Sequence, residues 1–560
     1  MRVARPIASA PTARSAGRDP GDSGFPPPPL AAMTMLSPEI EIELGLDEAD
    51  DDEAIREKAA RRIGVSLAHL AGLALRKRSI DARRGRVVFR LLLELDPKPR
   101  ELGTPHPVDV DRLGRVIVIG DGPAGLFCAY ELARRGIGCT VLDRGKTVQP
   151  RRRDLRGLNQ LGVVDADSNY CFGEGGAGTY SDGKLYTRSH KRGDCRDVLE
   201  VLALHGAPES ILTDARPHIG SNKLPTVVTA IREHLERHGV TFRFGARVVA
   251  LLTLDQGARR HVSGVRLESG EELGADAVVL ATGHSARDVF HMLLDAGVSL
   301  EPKAFALGVR IEHPQPFINR AQYGRYAEHP KLPNAAYKMA FTESGRGVFS
   351  FCMCPGGFIV PASTSPGEIV LNGMSLSRRD SPYANSGLVV GIEVEDTLKA
   401  GFSGPLAGLE LQHRIEKEAW HAGGGGLRAP ATRATDFVAG RASTTVPATS
   451  YQPGLAAGNV GDMLDLVGLG LAERMRRALN LFDKRMGGYV SEEAVLVGVE
   501  SRTSSPVRVP RDKERLTSPD LDGLYPCGEG AGYAGGIVSA AMDGIGVARA
   551  VAEAVASPGS

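Results

Sequence analysis

The stretch RVIVIGDGPAGLFCAYELARRGIGCTVLDRG, residues 115–145, leaves little freedom to the fold around it. A wholly apolar strand, Val116 to Ile119, runs into Gly120, Gly122 and Gly125, then a helix, then a second strand ending at Asp143. G-x-G-x-x-G between a strand and a helix, with an acidic residue about 20 positions on, is the dinucleotide-binding pattern in the context it requires. Gly120 permits the tight turn, Gly122 lets a pyrophosphate lie on the main chain, and Gly125 brings helix and strand together. Pro123 and Ala124 open the helix, whose unpaired N–H groups and partial positive charge face the phosphates. Asp143 is placed to accept hydrogen bonds from ribose hydroxyls, with Arg144 beside it.

The run YCFGEGGAGTYSDGKL, residues 170–185, repeats G-x-G-x-x-G at Gly173, Gly175 and Gly178. No apolar strand precedes it and no amphipathic helix follows directly, so it reads as a loop beside the nucleotide. Bare backbone at Gly175, Gly176 and Gly183 would let the chain cross the cofactor, with Ser181, Asp182 and Lys184 as polar contacts. A flexible surface loop is the alternative reading. Two later segments return to the same place. GADAVVLATGHSA is a buried strand leading to Thr282 and Gly283, and GLYPCGEGAGYAGGIVSAAMDGIGVARAVAEAV gives a strand, a glycine turn at Gly528 and a long helix. Gly535, Gly536 and Ile537 start that helix close to a ligand, its positive end facing the N1/O2 edge of an isoalloxazine. One nucleotide fold with several glycine-rich returns, and no second fingerprint, points to FAD held along its length. The expected fold is α/β: a Rossmann-like FAD-binding domain with a parallel sheet, an inserted mixed α+β substrate domain and a small N-terminal β-α-α-β domain.

Composition narrows the function classes. Lys and Arg number 68 against 67 Asp and Glu, so no global charge marks a nucleic-acid or membrane-surface binder, and clusters such as Arg151-Arg152-Arg153 read as solvated. Seven scattered cysteines suit reduced thiols in a cytoplasm better than a disulfide framework. No apolar run reaches the roughly 18 residues that span a bilayer. Residues 1–36 are expected to be a disordered or targeting extension. A transit peptide has such a composition, and so does an over-long bacterial start ahead of Met33 or Met35, which is the favoured reading. Residues 37–97 should form the small domain, from the strand EIEIELGL through two helices, the second being SLAHLAGLALRKRSIDA, to the strand RVVFRLLLELD. A proline-rich linker is expected over 98–110, the FAD domain over 111–288 and 499–560, and the substrate domain over 289–498, where LAGLELQHRIEKEAWHAG would be a lid.

From Val116 the chain resembles the two-domain FAD-dependent oxidoreductases of the glutathione-reductase-like superfamily. It is most similar to bacterial FAD-dependent dehydrogenases with a small N-terminal domain. The motifs that carry this are GDGPAGL, NYCFGEGGAGTYSDGKL, LATGHSARDVF, GVRIEH, FSFCMCPGGFIV, NGMSLSRRD, ESRTSSPVR and GLYPCGEGAGYAGGI. The resemblance implies non-covalent FAD, and it puts Glu529 where relatives carry an acidic residue against the ribityl or pyrophosphate region.

The reaction is carried by the flavin, so catalytic candidates are groups that position and polarise. His284, after the ATG turn, suits an acid or base near pH 7, or a ring bonded to a carbonyl. In GVRIEH, Arg310 and Glu312 share one face of a strand and His313 the other, as reactive groups or an ion pair. Arg502 and Arg508 flank ESRTSSPVR as a clamp for an oxyanion or as a domain-interface network. Cys352 and Cys354 read as buried thiols, since no second Cys/His pair lies near at metal spacing. No metal site is expected, and Cys128 and Cys139 are not placed as the redox pair of disulfide reductases. The expected activity is hydride transfer between FAD and a small organic substrate, with NAD(P)H as a transient donor. The rival is a flavin-dependent tRNA-modifying protein gripping RNA through LRKRS, residues 75–79. Near-neutral charge argues against nucleic acid.

Overall fold

A computed structural model describes residues 39–70, 72–97, 115–186, 195–257, 259–343 and 345–556. The extension over 1–36 and the linker over 98–110 lie outside the described residues.

The small N-terminal module is β-α-β-β rather than β-α-α-β. Helix Asp52–Ile63 forms as expected, capped by the Asp51 carboxylate, which accepts from the Glu53 and Ala54 amides. The segment read as a second helix is instead the strand Leu73–Asp81, after a single short turn at Leu67–His69. It completes a sheet in which Val88–Leu95 lies between Glu39–Leu44 and Leu73–Asp81, all antiparallel. The basic run that reads as a helix face is used across strands, Arg76 pairing with Glu94, while Arg90 of the central strand pairs with Glu41, Glu43 and Asp81. Sheet pairing has overridden a helical propensity.

Five parallel strands form the nucleotide sheet, in the order Leu524–Pro526, Ala277–Leu280, Val116–Ile119, Cys139–Asp143, Thr241–Phe244. Val116–Ile119 is buried on both faces, as a central parallel strand must be. Val116 and Val118 face a core shared with helices Pro123–Arg134 and Ile537–Ala556; Ile117 and Ile119 face an antiparallel layer built from Val248–Gln256, Arg259–Leu267 and Glu272–Gly274. The chain leaves Val116–Ile119 toward one side and returns at Ala277–Leu280 on the other. The crevice at such a reversal is where open α/β sheets bind ligands.

The second large sheet has seven strands, in the order Ala340–Glu343, Arg346–Cys354, Tyr383–Ile392, Phe305–Pro314, Val495–Glu500, Ala429–Arg433, Leu455–Ala457. Its only parallel pair is the last one. Helix Ala407–Ala422, expected as a lid, is a fixed wall instead. Leu411, Ile415 and Ala419 are fully buried in the core of this sheet, and Glu416 is buried beside them. None of the described helices is long and apolar enough to cross a membrane.

Candidate active site

The fingerprint glycines divide by what surrounds them. A Cβ on Gly125 would stand 1.9 Å from the Gly120 carbonyl oxygen, and one on Gly120, whose φ is +101°, would stand 2.5 Å from that of Ala281. These two are demanded by the protein's own packing. Gly122 is different: the nearest described atom to its Cβ position is the Gly176 Cα, at 4.0 Å. It caps the helix that Pro123 opens and faces open space.

Asp143 closes its strand as expected, and its carboxylate is a structural tie. Its carboxylate accepts from the amides of Gly145 (2.8 Å), Gly173 (3.1 Å) and Asp121 (3.0 Å), tying three loops together. Arg144 lies over the Phe172 ring at 4.7 Å and is ion-paired with Asp167 and Asp288. The 170–185 loop is pinned rather than free. Arg151, expected to be solvated, is fully buried and donates to the carbonyls of Asn169, Tyr170, Glu174 and Gly176. That pin was invisible in an Arg-Arg-Arg cluster, because the carbonyls it binds lie 18 to 25 residues further along the chain. Gly175 and Gly183 turn the loop at φ +75° and +70°, and a side chain on either would strike Thr179 or Leu224.

A single cavity of about 900 Å³ opens over this loop. Of the expected cofactor contacts, Gly120, Gly122, Pro123, Ala124, Asp143 and Arg144 line it. So do Gly176, Ser181, Asp182, Gly183 and Lys184 from the loop, and Thr282, Gly283, Glu529, Gly535, Gly536 and Ile537 from the returns. Gly125, Gly175 and Gly528 do not line it; they serve packing, Gly528 lying against the Ala124 side chain. Cβ positions on Gly283, Gly535 and Gly536 meet no described atom within 4 Å, although two of the three hold φ of +69° and +117°. Those residues leave room that the protein does not fill, along a line from the fingerprint to the helix Ile537–Ala556. That cradle fits an elongated dinucleotide.

The far end of the cavity is built from charge. Arg502 lines it, but its guanidinium is held by Glu368 (2.8 Å) and Glu416 (2.9 Å), which also bind Arg287 at 3.2 and 2.6 Å. Glu368, His413 and Glu416 stand close enough to hold a metal ion, yet the two arginines already neutralise both carboxylates. Burial pushes the Glu368 carboxyl up, but Arg502, His413 and Arg287 outweigh it and hold it well below the usual range. Arg508 corrects the expected clamp: it is exposed, off the cavity, with its guanidinium 5.8 Å from the Tyr533 ring. The cause is the short strand Val507–Arg508, which pairs with Glu301–Pro302 and turns Arg508 away from Arg502.

Arg310 also stands off the cavity. Fully buried, it donates to Glu500 (2.7 Å), Asn385 and the Cys352 carbonyl, behind a wall in which Gly373 leaves it room. Its ion-pair partner is thus Glu500, not Glu312, whose carboxylate is bound by Thr449 and Ser450. His313 faces the core and is bonded to the Tyr489 carbonyl. His284 does line the cavity, half-buried, but burial and then the cations Arg502, Lys303 and Arg287 push its pKa down to about 3. It is a neutral imidazole at pH 7, not an acid poised there. Glu529 takes the titrating role that His284 was expected to have. Burial raises its pKa to about 7, against the Gly536 amide and Lys303.

Cys354 is buried as expected, whereas Cys352 is exposed and lines the cavity. Lys184 Nζ lies 3.4 Å from the Cys354 sulphur, 3.9 Å from that of Cys352 and 3.2 Å from Asp182. Asp182 in turn binds Ser375 and Arg379.

Comparisons with known proteins agree with this cradle. Residues 114–289 match an FAD binding domain, residues 225–366 an FAD dependent oxidoreductase, and residues 304–503 the family described as FAD-dependent protein, C-terminal domain-like. Residues 35–96 match a domain of unknown function. An uncharacterized protein of Clostridium beijerinckii is 39% identical over 536 residues, covering 91% of this chain and 98% of its own. A flavin-dependent monooxygenase of Mycobacteroides abscessus is 42% identical over 60 residues, 9% of this chain and 12% of its own. Among solved structures, CtdE in complex with FAD and substrate 4 covers 78% of this chain and 80% of its own, at 12% identity and a TM-score of 0.30, too loose a superposition to bear on the site. The chain binds FAD and belongs to the FAD-dependent oxidoreductases, in one family with the Clostridium beijerinckii protein.

Proposed function

We propose that this oxidoreductase is a dehydrogenase that moves a hydride to or from a small organic substrate through non-covalently held FAD, with NADH or NADPH as transient donor in one direction. One observation carries the reading: a single cavity runs from Gly122 past Gly536 to a far end walled by Phe305, Phe349, Phe351 and Leu371. The near end is bare backbone shaped for a dinucleotide, and the far end, where these apolar walls stand beside the clamped Arg502 and Glu500, suits a small organic molecule.

The flavin supplies two-electron chemistry when bound. The chain's own residues do the rest. Backbone at Gly122 and the helix it caps offers N–H groups to the pyrophosphate. The N-terminus of Ile537–Ala556 lends partial positive charge to the ligand edge it faces. Arg502, clamped by two carboxylates, is a fixed cation that neither titrates nor swings. His284 is held neutral and contributes hydrogen bonds rather than a proton at pH 7. Glu529, titrating near pH 7, holds or releases a proton at its carboxyl oxygen, the property a general acid or base needs.

The test is anaerobic mixing of the FAD-loaded protein with NADH, NADPH and a metabolite pool while the flavin band near ~450 nm is followed. Bleaching by at least one donor, reversed by an organic acceptor without oxygen, is expected. A flavin that every donor leaves oxidised, or that turns over only with oxygen, would sink the dehydrogenase reading and favour a monooxygenase.

A further inference from the structure

We propose that Cys352 and Cys354 form a redox-active dithiol at the far end of the cavity, in which Cys352 attacks a low-molecular-weight disulfide and Cys354 resolves the adduct. The strand that carries them is irregular for this one pair. Pairing of Arg346–Cys354 with Tyr383–Ile392 slips between Phe351 and Cys354. Within the slip Cys352 holds φ of +46°, a left-handed conformation costly for any residue but glycine. The consequence is a division of labour. Cys352 is turned out to the cavity, while Cys354 is buried two residues on.

Both sulphurs converge on the Lys184 ammonium. The lysine is itself held by Asp182, which Arg379 and Ser375 fix in turn. A cation shared by two thiols stabilises whichever of them is the thiolate, and the thiolate is the nucleophile. Arg310 acts as a positioning residue, donating to the Cys352 carbonyl at 3.1 Å, and the Cys354 thiol donates to the same oxygen at 3.3 Å. Burial pushes the Cys354 thiol up to about 11 against the pull of Lys184, so it stays protonated while Cys352 meets the substrate.

The electrons balance without another reagent. Cys352 gives up its proton, its thiolate attacks one sulphur of R–S–S–R′, the S–S bond breaks, and R′S⁻ leaves and takes up that proton while Cys352–S–S–R forms. Cys354 then attacks the Cys352 sulphur, its proton passing to the departing RS⁻. The dithiol has lost two electrons and two hydrogens, and the small disulfide has gained them as two thiols.

The experiment uses the full FAD-loaded chain, reduced, desalted and incubated anaerobically with bis(2-hydroxyethyl) disulfide, then read by intact mass and peptide mapping. The wild type is expected to lose two hydrogens, with the new linkage between residues 352 and 354. Cys354→Ser is expected to stop with a mercaptoethanol adduct on Cys352. Lys184→Met should slow that adduct about tenfold, and Lys184→Arg should restore part of the rate. Near-ultraviolet circular dichroism reports folding of each variant. Should a variant fail to fold, iodoacetamide labelling of the wild type at one pH replaces it, and Cys352 should alkylate faster than Cys354 and faster than free cysteine. A stable adduct on wild-type Cys352 without the linkage would overturn the proposal. So would a thiol that alkylates no faster than free cysteine.

Discussion

At the near end of the cavity the lining groups are largely backbone, set out by Gly122, Gly283, Gly535 and Gly536, where an added Cβ would meet no side chain of the protein. At the far end they are side chains held in buried ion networks, Arg502 bound by Glu368 and Glu416, and Glu500 bound from behind the wall by Arg310. A cofactor common to many enzymes can be gripped by main chain, which is the same whatever the sequence. A substrate peculiar to one enzyme must be met by side chains, and these must be immobilised before they can discriminate.

Breaking the far end should have the largest effect. Arg502→Met leaves Glu368 and Glu416 buried with Arg287 as their one remaining arginine partner, and removing one partner of such a network costs about 3–5 kcal/mol. Denaturant unfolding should show that loss; a change below about 1 kcal/mol would mean that the network is solvated rather than structural.

Within the near end, two glycines of one fingerprint should part company. Gly125→Ala puts a methyl 1.9 Å from the Gly120 carbonyl and should destabilise the apoprotein by about 1–3 kcal/mol or more, as overpacking does. Gly122→Ala meets nothing in the protein, so the apoprotein should unfold as the wild type does while FAD affinity falls at least about tenfold, roughly 1.4 kcal/mol. Equal FAD affinity in Gly122→Ala and wild type would break the contrast between packing glycines and ligand glycines.

The same contrast explains what could be read from the chain alone. The near end was legible because strand, glycine turn, helix and acidic residue fall within residues 115–145, where periodicity and spacing act locally. The far end was not, because its partners are distant: Arg502 finds Glu416 86 residues away and Glu368 134 away, and Arg310 finds Glu500 190 away. No local pattern announces such pairs. His284 misled for a related reason, since burial and then two cations from other segments, Arg502 and Lys303, with the nearby Arg287, decide its protonation. Leu73–Asp81 misled because a basic run resembles a helix face until the strand it pairs with and its acidic partners Glu94 and Asp50 are known.

Glu529 offers a smaller, sharper test. Its folded pKa, about 7, lies above the ordinary carboxyl value of 4.5, so between those values the folded apoprotein binds more protons than the unfolded chain. Its contribution to stability is therefore full below about pH 4.5 and is lost as pH rises through 7. Glu529→Gln should flatten the apoprotein's stability profile over that window. It should also remove any step near pH 7 in the rate of flavin bleaching. A profile unchanged by the substitution would return Glu529 to a purely cofactor-contacting role.

The smallest effect is expected at Arg508, and a small effect there decides something. An exposed guanidinium 5.8 Å from the Tyr533 ring, with its backbone fixed by a two-residue strand, contributes little to folding. Arg508→Ala should therefore change stability by no more than about 0.5 kcal/mol. It should also leave FAD affinity and the apparent affinity for any electron donor where they were. If donor affinity instead fell tenfold with stability unchanged, Arg508 would have to swing from Tyr533 into the cavity mouth in the bound state, and the oxyanion clamp with Arg502 would return as a feature of the closed enzyme. A drop in kcat with unchanged affinity would argue otherwise: Arg508 would then act through Lys303, whose ammonium it already disfavours in concert with burial. Titrating the bleaching rate against pH separates the two, because only the second would move the Glu529 step that Lys303 helps to set.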